Sequence, residues 1–301
     1  RFQQNLSLRD AMTPTKKREA LAAHIRNCQL ITAPGVYDMI SVRIADRQNH
    51  PALYMTGYGT VASYLGLPDA GLASYTDMVH RAGQMAAGST TPIIADADTG
   101  YGGLLNVRHT IRGFEAAGIA AIQIEDQEFP KKCGHTTGRR VIDTANMVDK
   151  IKVACDSRQD PNFLIIARTD ARTELGLDEA LSRARAYRDA GADVLFVESP
   201  ESEAEFEAIA AAIDAPLLAN MVEGGRSPVL SQDRLTELGF AIAIYPGTGF
   251  AAAAAALEQT YRCILETGST SALEVPLYPV AEMHELMDFG SVWDFEKKWA
   301  K

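Results

Sequence analysis

Residues 115–126 read EAAGIAAIQIED, and residues 189–199 read DAGADVLFVES. Each stretch leaves a helix-like segment through a glycine, passes through an apolar run and stops at an acid. Glycine ends a helix in the left-handed conformation at least cost, and a continuous apolar run is what a strand buried on both faces needs. Working outward, comparable runs occupy 30–38, 52–59, 92–100, 120–127, 163–171, 193–200, 216–222 and 240–248. Each is followed by a longer stretch with charged residues three and four apart, the helical spacing. Eight strands alternating with helices imply parallel pairing through right-handed crossovers, hence an α/β fold closed as a (β/α)8 barrel of the TIM type. We expect one barrel domain over 1–301, with an N-terminal helical extension (about 1–29) that plugs or caps the barrel bottom. A C-terminal helical tail (about 273–301) carries Trp293 and Trp299, and its apolar surface is expected to pack on a partner subunit.

Composition narrows the function. The chain has 301 residues, 29 Lys and Arg against 39 Asp and Glu, and a net charge of −10. With 47% hydrophobic and 23% charged residues it can bury a large core, which excludes disordered and fibrous classes. The acidic balance argues against nucleic acid or an anionic membrane as partner, but leaves room for a small anion met by local charge. The apolar stretch 240–257 contains Pro246, Gly247 and Gly249, so it reads as strand, turn and Ala-rich helix and not as a membrane span. Cys28, Cys133, Cys155 and Cys263 are widely spaced, and the first thirty residues are charged throughout. Reduced thiols in a cytoplasm are expected, three of them buried as small hydrophobes.

In a barrel of this kind chemistry belongs at the C-terminal strand ends, where the loops converge. Polar residues gather there: Thr56-Gly57-Tyr58, Asp96 and Asp98, Glu125-Asp126-Gln127, Arg168 and Asp170, Glu198, and Asn220 with Glu223. Asp96 and Asp98, two apart on a strand, face one side, with Glu125 on the next strand. Oxygen-only donors suit Mg²⁺ or Mn²⁺ and disfavour zinc. The alternative for each acid is helix capping or pairing with Arg168. Lys131-Lys132-Cys133-Gly134-His135 lies in a long connection suited to a lid, and its cationic neighbours favour a reactive thiol. Arg168 can bind a carboxylate at two points, or neutralise the acids, or both. Thr56-Gly57 offers backbone N–H groups to an anion. The GxGxxA match at 57–62 lacks the acid that holds a ribose, Asp288-Phe289-Gly290 lacks any other kinase element, and the Asn5 sequon has no secretion signal beside it.

The strings YMTGYGTVASYLGLPD (54–69), DADTGYG (96–102), IEDQ (124–127), KKCGH (131–135), ARTDA (167–171) and NMVEGG (220–225) resemble the isocitrate lyase and phosphoenolpyruvate mutase superfamily. Within it they are most similar to methylisocitrate and 2,3-dimethylmalate lyases, over almost the whole chain from about Leu30. The KKCGH element belongs to the lyase side. The resemblance implies Mg²⁺-dependent cleavage of a 2-hydroxy di- or tricarboxylate to a 2-oxo acid such as pyruvate plus a short carboxylate. Asp96 and Asp98 would hold the metal, with Asp69 and Glu125 ordering its waters. Thr56, Gly57 and Tyr58 would receive the carboxylate of the oxo-acid half, Arg168 would stabilise its oxygen, and Gly134, Glu198 and Asn220 would line the pocket. Cys133 would protonate the departing carbanion, helped by His135, and Tyr54 would take the hydroxyl proton. The resemblance also implies a homotetramer that exchanges its last barrel helix between subunits.

Two departures bear on the substrate. The position of the strand-8 arginine that binds the extra carboxylate in methylisocitrate lyases is Ala251, which favours a 2-alkylmalate type dicarboxylate, and Tyr58 replaces a glycine and should narrow the pocket. Arg226, expected at the surface, would reopen the tricarboxylate reading if it entered the mouth. Oxaloacetate acetylhydrolase or decarboxylase is the alternative activity, weakened by Pro246 at the serine position of the hydrolases but kept by nearby Thr248. A phosphonate-related mutase and a non-catalytic barrel rank below it.

Overall fold

The computed structural model describes residues 12–134, 136 and 138–300. The elements begin with α1 (Pro14–Arg26), β1 (Ile31–Val36), α2 (Met39–Asp46), β2 (Leu53–Met55), α3 (Gly57–Leu65), α4 (Tyr75–Ala87) and β3 (Ile93–Asp96). They continue through α5 (Leu104–Ala116), β4 (Ala121–Glu125), α6 (Thr144–Ser157), β5 (Leu164–Thr169), α7 (Arg172–Leu175), α8 (Leu177–Asp189) and β6 (Val194–Val197). Then follow α9 (Glu203–Ala212), β7 (Leu217–Asn220), α10 (Gln232–Glu237), β8 (Ile242–Tyr245), α11 (Thr248–Thr267), α12 (Val280–Leu286) and α13 (Phe289–Trp299). The eight strands close in chain order into a parallel barrel, with β1 paired to β8. The fold class read from the alternating runs is the one observed.

Strand periodicity sorts side chains between two cores and thereby builds the mouth. In β4, Ala121 joins the interior cluster with Ile31, Tyr54, Ile94, Ile166, Phe196 and Ile242, while Ile122 and Ile124 join the outer cluster with helix residues such as Ile111, Phe114 and Met147. Alternation therefore sends Gln123 and Glu125 inward as well. By the same rule Asp96 follows Ile94, Arg168 follows Ile166, Glu198 follows Phe196 and Asn220 follows Leu218 into the barrel. The register sets Asp96 opposite Gln123 and Glu125 opposite Arg168. A slip of one residue in β4 would turn Glu125 into the helix layer.

At the opposite end α1 packs against the strand starts. Thr13 caps it through Lys16 N, and Pro14 occupies its first turn, where no N–H is needed. Leu21, Ala22 and Ile25 belong to the interior cluster together with Ala52, Ala120 and Ala241. Lys17 Nζ donates to the Ala86 carbonyl at 2.8 Å, and Arg18 Nε to that of Ile119 at 3.0 Å. Burying Leu21 fully is worth about 1.5–3 kcal/mol.

The chain divides into two compact units, one ending at Phe250 and the other running from Ala251. The second unit thus starts within α11, earlier than the tail boundary near 273 that composition suggests. In it the His284 ring packs on Phe289 with centroids 4.8 Å apart, and Leu286 is buried. Among the described residues no helix is long and apolar enough to cross a membrane. The thiols other than Cys133 are not the buried hydrophobes expected: Cys28 is exposed, and Cys155 and Cys263 are partly so. Cys28 sits in the turn after α1, and Cys155, near the end of α6, packs at the edge of the outer core and donates to the Gly191 carbonyl at 3.2 Å.

Candidate active site

Sequence-predicted site residues come from β2, β3, β4, β5, β6 and β7 and from the loop after β4, and nearly all are buried. The loop decides the geometry. Gln127 grips its start, donating through Nε2 to the Lys132 carbonyl at 2.8 Å and accepting from Lys132 N at 3.0 Å. Its far leg returns antiparallel beside it, with Ile142 N donating to Asp126 O at 2.9 Å. The loop lies over the mouth between these legs. Lys131 Nζ stands 2.6 Å from Asp69 Oδ1 and 2.7 Å from Asp98 Oδ1. Cys133 N donates to Asp69 O at 3.2 Å, and the Gly134 carbonyl accepts from Ser199 Oγ at 3.1 Å. A Cβ on Gly134 would collide with an Arg168 guanidinium nitrogen and come within 3.0 Å of Glu198. Glycine is required there because the loop backbone touches the two side chains directly. Cys133 is half-buried, and His135 lies outside the described residues.

Beneath the loop the acids are crowded. Asp98 adopts a left-handed backbone with φ of 49°, and its N–H bonds Asp96 Oδ1 at 3.0 Å. Burial, then the like charges of Asp96 and Asp69, push the Asp98 carboxyl up to about 6 against the pull of Lys131. Burial alone would lower Lys131, yet the surrounding carboxylates, Asp98 foremost, hold its ammonium well above the usual range. Glu125 is raised well above the carboxylate range by burial, against the Arg168 charge 3.4 Å away. Its Oε1 is buried with no hydrogen-bond partner among the described residues.

Arg168 is held on three sides. Nε and Nη2 donate to Asp170 at 2.9 Å each, Nη1 lies 3.3 Å from Glu198 Oε2, and the guanidinium sits 5.0 Å above the Phe196 ring. Asp170 is also bound by Arg139, which reaches Thr173 as well. Glu198 accepts from Asn220 Nδ2 at 3.0 Å. The Thr56-Gly57 pocket proves to be a helix N-terminus: Thr56 is the N-cap of α3 and makes no side-chain cap bond. Helix N-termini carry unpaired N–H groups and favour anions. A Cβ on Gly57 would stand 2.6 Å from Asp96 Oδ2, so the helix start abuts the acids. Tyr58 is 48% exposed and packs edge-on against Phe250 at 5.9 Å.

Tyr54, expected to take the hydroxyl proton, is buried in the interior core, its hydroxyl donates to Gln123 Oε1 at 2.8 Å, and burial raises its phenol well above the usual range. It orients Gln123, whose Nε2 lies 3.4 Å from Asp96 Oδ1. The four acids named from the sequence come together, but as a patch: among the described residues no group of three His, Cys, Asp or Glu forms a ligand shell. Lys131 takes Asp69 and Asp98, and Glu125 leans on Arg168. Arg226 is partly exposed and stands 3.7 Å from Glu201, and Thr248 Oγ1 donates to Glu223 at 2.8 Å. Gln123, Gln127, Arg139 and Asp170 are parts of the site that sequence reasoning did not assign. The only signal was their position at or just beyond the polar strand ends.

A family model described as phosphoenolpyruvate phosphomutase matches residues 21–265. The chain is 43% identical to 2,3-dimethylmalate lyase of Eubacterium barkeri, over 96% of this chain and 98% of that protein. It belongs to the PEP mutase/isocitrate lyase superfamily. This superfamily chain is a lyase, as its named relatives are. It is 40% identical to 2-methylisocitrate lyase of Aeropyrum pernix, over 92% of this chain and 88% of that one. Among solved structures, oxaloacetate acetylhydrolase in complex with 3,3-difluorooxalacetate is similar with a TM-score of 0.89 and 34% identity, over 95% of this chain and 98% of that one. Phosphonopyruvate hydrolase in complex with oxalate and Mg²⁺ is similar with a TM-score of 0.86 and 28% identity, over 95% of this chain and 99% of that one.

Proposed function

We propose that this superfamily lyase cleaves a 2-hydroxy dicarboxylate of the 2-alkylmalate type, with Mg²⁺, to a 2-oxo acid and a short carboxylate. The observation that carries the reading is the loop lowered onto the mouth. Lys131 lies among the acids and Gly134 lies against Arg168 and Glu198, so Cys133, next to Gly134 and two residues after Lys131, is carried to the same place. In the reaction the bond between the hydroxyl-bearing carbon and its neighbour breaks. The hydroxyl gives its proton to water as its carbon becomes the ketone, and the departing carbon keeps the electron pair and takes one proton in return. The Cys133 thiol is placed to give that proton, and Lys131 to offset charge on the departing fragment. Arg168, fixed by Asp170, faces the oxygen of the oxo-acid half, and the α3 N-terminus receives its carboxylate. Oxaloacetate acetylhydrolase activity is the alternative because of the likeness in fold to that enzyme, although Thr248 is engaged with Glu223.

The residues fit a divalent ion. The donors are all oxygen, burial and then the like charges of Asp96 and Asp69 push Asp98 up to about 6, and Glu125 Oε1 is unsatisfied among the described residues. Asp96 and Asp98 would hold the ion, with Asp69 and Glu125 ordering its waters. When bound, it supplies Lewis-acid polarisation of the oxo-acid oxygen. The substrate reading rests on Ala251, the position at which the resemblance to methylisocitrate lyases implies an arginine. An unpaired third carboxylate in a closed site is costly. A panel of 2-alkylmalates, methylisocitrate and oxaloacetate, assayed for 2-oxo acid, oxalate and acetate, tests it. We expect 2-oxo acid from 2-alkylmalates, lost with EDTA and restored by Mg²⁺ or Mn²⁺. Turnover of methylisocitrate alone would overturn the substrate class, and oxalate plus acetate from oxaloacetate alone would make the chain a hydrolase.

A further inference from the structure

Three aromatic residues stand at the strand ends between β8 and β2, on the side of the barrel that carries the acids. Tyr37 follows β1, Tyr58 lies in the first turn of α3, and Phe250 lies in the first turn of α11. Phe250 meets Tyr37 edge-on at 5.2 Å and Tyr58 at 5.9 Å, so the rings form one patch with Phe250 at its centre. Gly59 permits the closeness, since a Cβ there would stand 2.9 Å from Tyr37 Cβ. The patch is not sealed: Tyr58 is 48% exposed, and Tyr37 and Phe250 are half-buried. Charged groups stand at its edge: Asp38 follows Tyr37 and acts on its phenol, and Glu223 is bound by Thr248, two residues before Phe250, at 2.8 and 3.0 Å. Tyr58 also follows Gly57, which abuts Asp96.

We infer that Tyr37, Tyr58 and Phe250 form a subsite for an apolar substituent on the oxo-acid half of the substrate, larger than methyl, and that Glu223 rejects a charged one. The inference rests on the lyase reading and deepens it. Aromatic surface gains by covering alkyl or aryl groups, and the carboxylate of Glu223 penalises a second carboxylate placed beside it. The 2-oxo acid released is then longer than pyruvate, and acetate is the other product of an unsubstituted methylene. No oxidant or further reactant enters.

The test uses the Mg²⁺-loaded full chain and malates carrying hydrogen, methyl, propyl, benzyl or carboxymethyl at C2, with the alkyl series repeated at C3. Cleavage is followed by 2-oxo acid release and binding by titration calorimetry. We expect kcat/KM for the 2-propyl or 2-benzyl compound to exceed that for malate by about tenfold or more, the scale of apolar discrimination in a pocket. Carboxymethyl should fall below malate. In Tyr58→Ala and Phe250→Ala the propyl-to-hydrogen ratio should collapse toward one, while Tyr58→Phe keeps it, which separates ring contact from loss of the hydroxyl. If alanine variants do not fold, Phe250→Leu should lower the benzyl preference more than the propyl preference. Cleavage indifferent to C2 size, or a preference confined to the C3 series, overturns the subsite and leaves the lyase reading standing. Tighter binding with size but no cleavage keeps the subsite and overturns the lyase reading.

Discussion

Gly134 is the residue at which loop and barrel touch most closely. Its missing side chain is the space that Arg168 and Glu198 occupy, so Gly134→Ala must either lift the loop or displace the arginine. Both move Cys133 or the substrate-binding guanidinium, and misplacement of about 1 Å costs about a hundredfold in rate. We expect kcat/KM to fall by about that factor with the melting temperature little changed, because the loop is not part of either core. Unchanged kinetics would mean that the loop does not need this approach. A second residue, Asp46, shows electrostatics away from the mouth. Its carboxylate accepts from Ser89 Oγ and from the backbone and hydroxyl groups of Thr90 and Thr91. Burial acts to raise its carboxyl, but those bonds, Thr91 foremost, hold it below the usual range. A carboxyl lowered on folding contributes stability that is present above its unfolded value, near 3.8, and lost as pH falls through the lower folded value. Asp46→Asn should therefore lower stability at pH 7 by about 1–3 kcal/mol, the worth of bonds to a charged acceptor, with the deficit shrinking as denaturation is followed into acid. A deficit that persists unchanged at pH 2 would assign it to packing.

At the scale of elements, strand alternation carries most of the design. The same period that hides Ile122 and Ile124 among the helices turns Gln123 and Glu125 inward, which is why the barrel and its polar end were legible from runs such as 120–127. Asp96, Glu125, Arg168, Glu198 and Asn220 were legible for the same reason, whereas Asp98, expected on the strand with Asp96, lies just past β3 in a left-handed turn. What was not legible depends on side chains that cross from one loop to another. Lys131 meets Asp69 and Asp98 over long separations in sequence, and Arg139 reaches Asp170 from the far leg of the loop. Nothing in local spacing distinguishes those cations from solvated ones. For Tyr54 the place on a strand near acids was readable, but the Gln123 partner of its hydroxyl was not. The α1 helix is a separate test of the architecture. Leu21 is fully buried in the interior cluster at the strand starts, so Leu21→Ala should cost about 2–5 kcal/mol. Because the mouth is at the other end, kcat of the folded fraction should stay within about twofold. A large loss of kcat without loss of stability would contradict the division of the barrel into a stabilising and a reacting end.

For the molecule as a whole, the proposed function has an acidic chain bind a dianionic substrate by spending its cations locally. The buried acids Asp69, Asp96, Asp98, Glu125, Asp170 and Glu198 outnumber the buried cations Lys131, Arg139 and Arg168. That imbalance is what a divalent ion would correct, and it adds to the burial that pushes the Asp98 carboxyl up to about 6. The central claim joins this anchored pocket to a thiol carried by the loop. It is tested most directly by the single-turnover rate of 2-alkylmalate cleavage in Cys133→Ala with Mg²⁺, beside the affinity of the same protein for oxalate, a mimic of the oxo-acid enolate. The account predicts a rate lower by about a hundredfold or more with oxalate affinity within about twofold of the parent chain. A variant that cleaves as fast as the parent, with oxalate still bound, would contradict it.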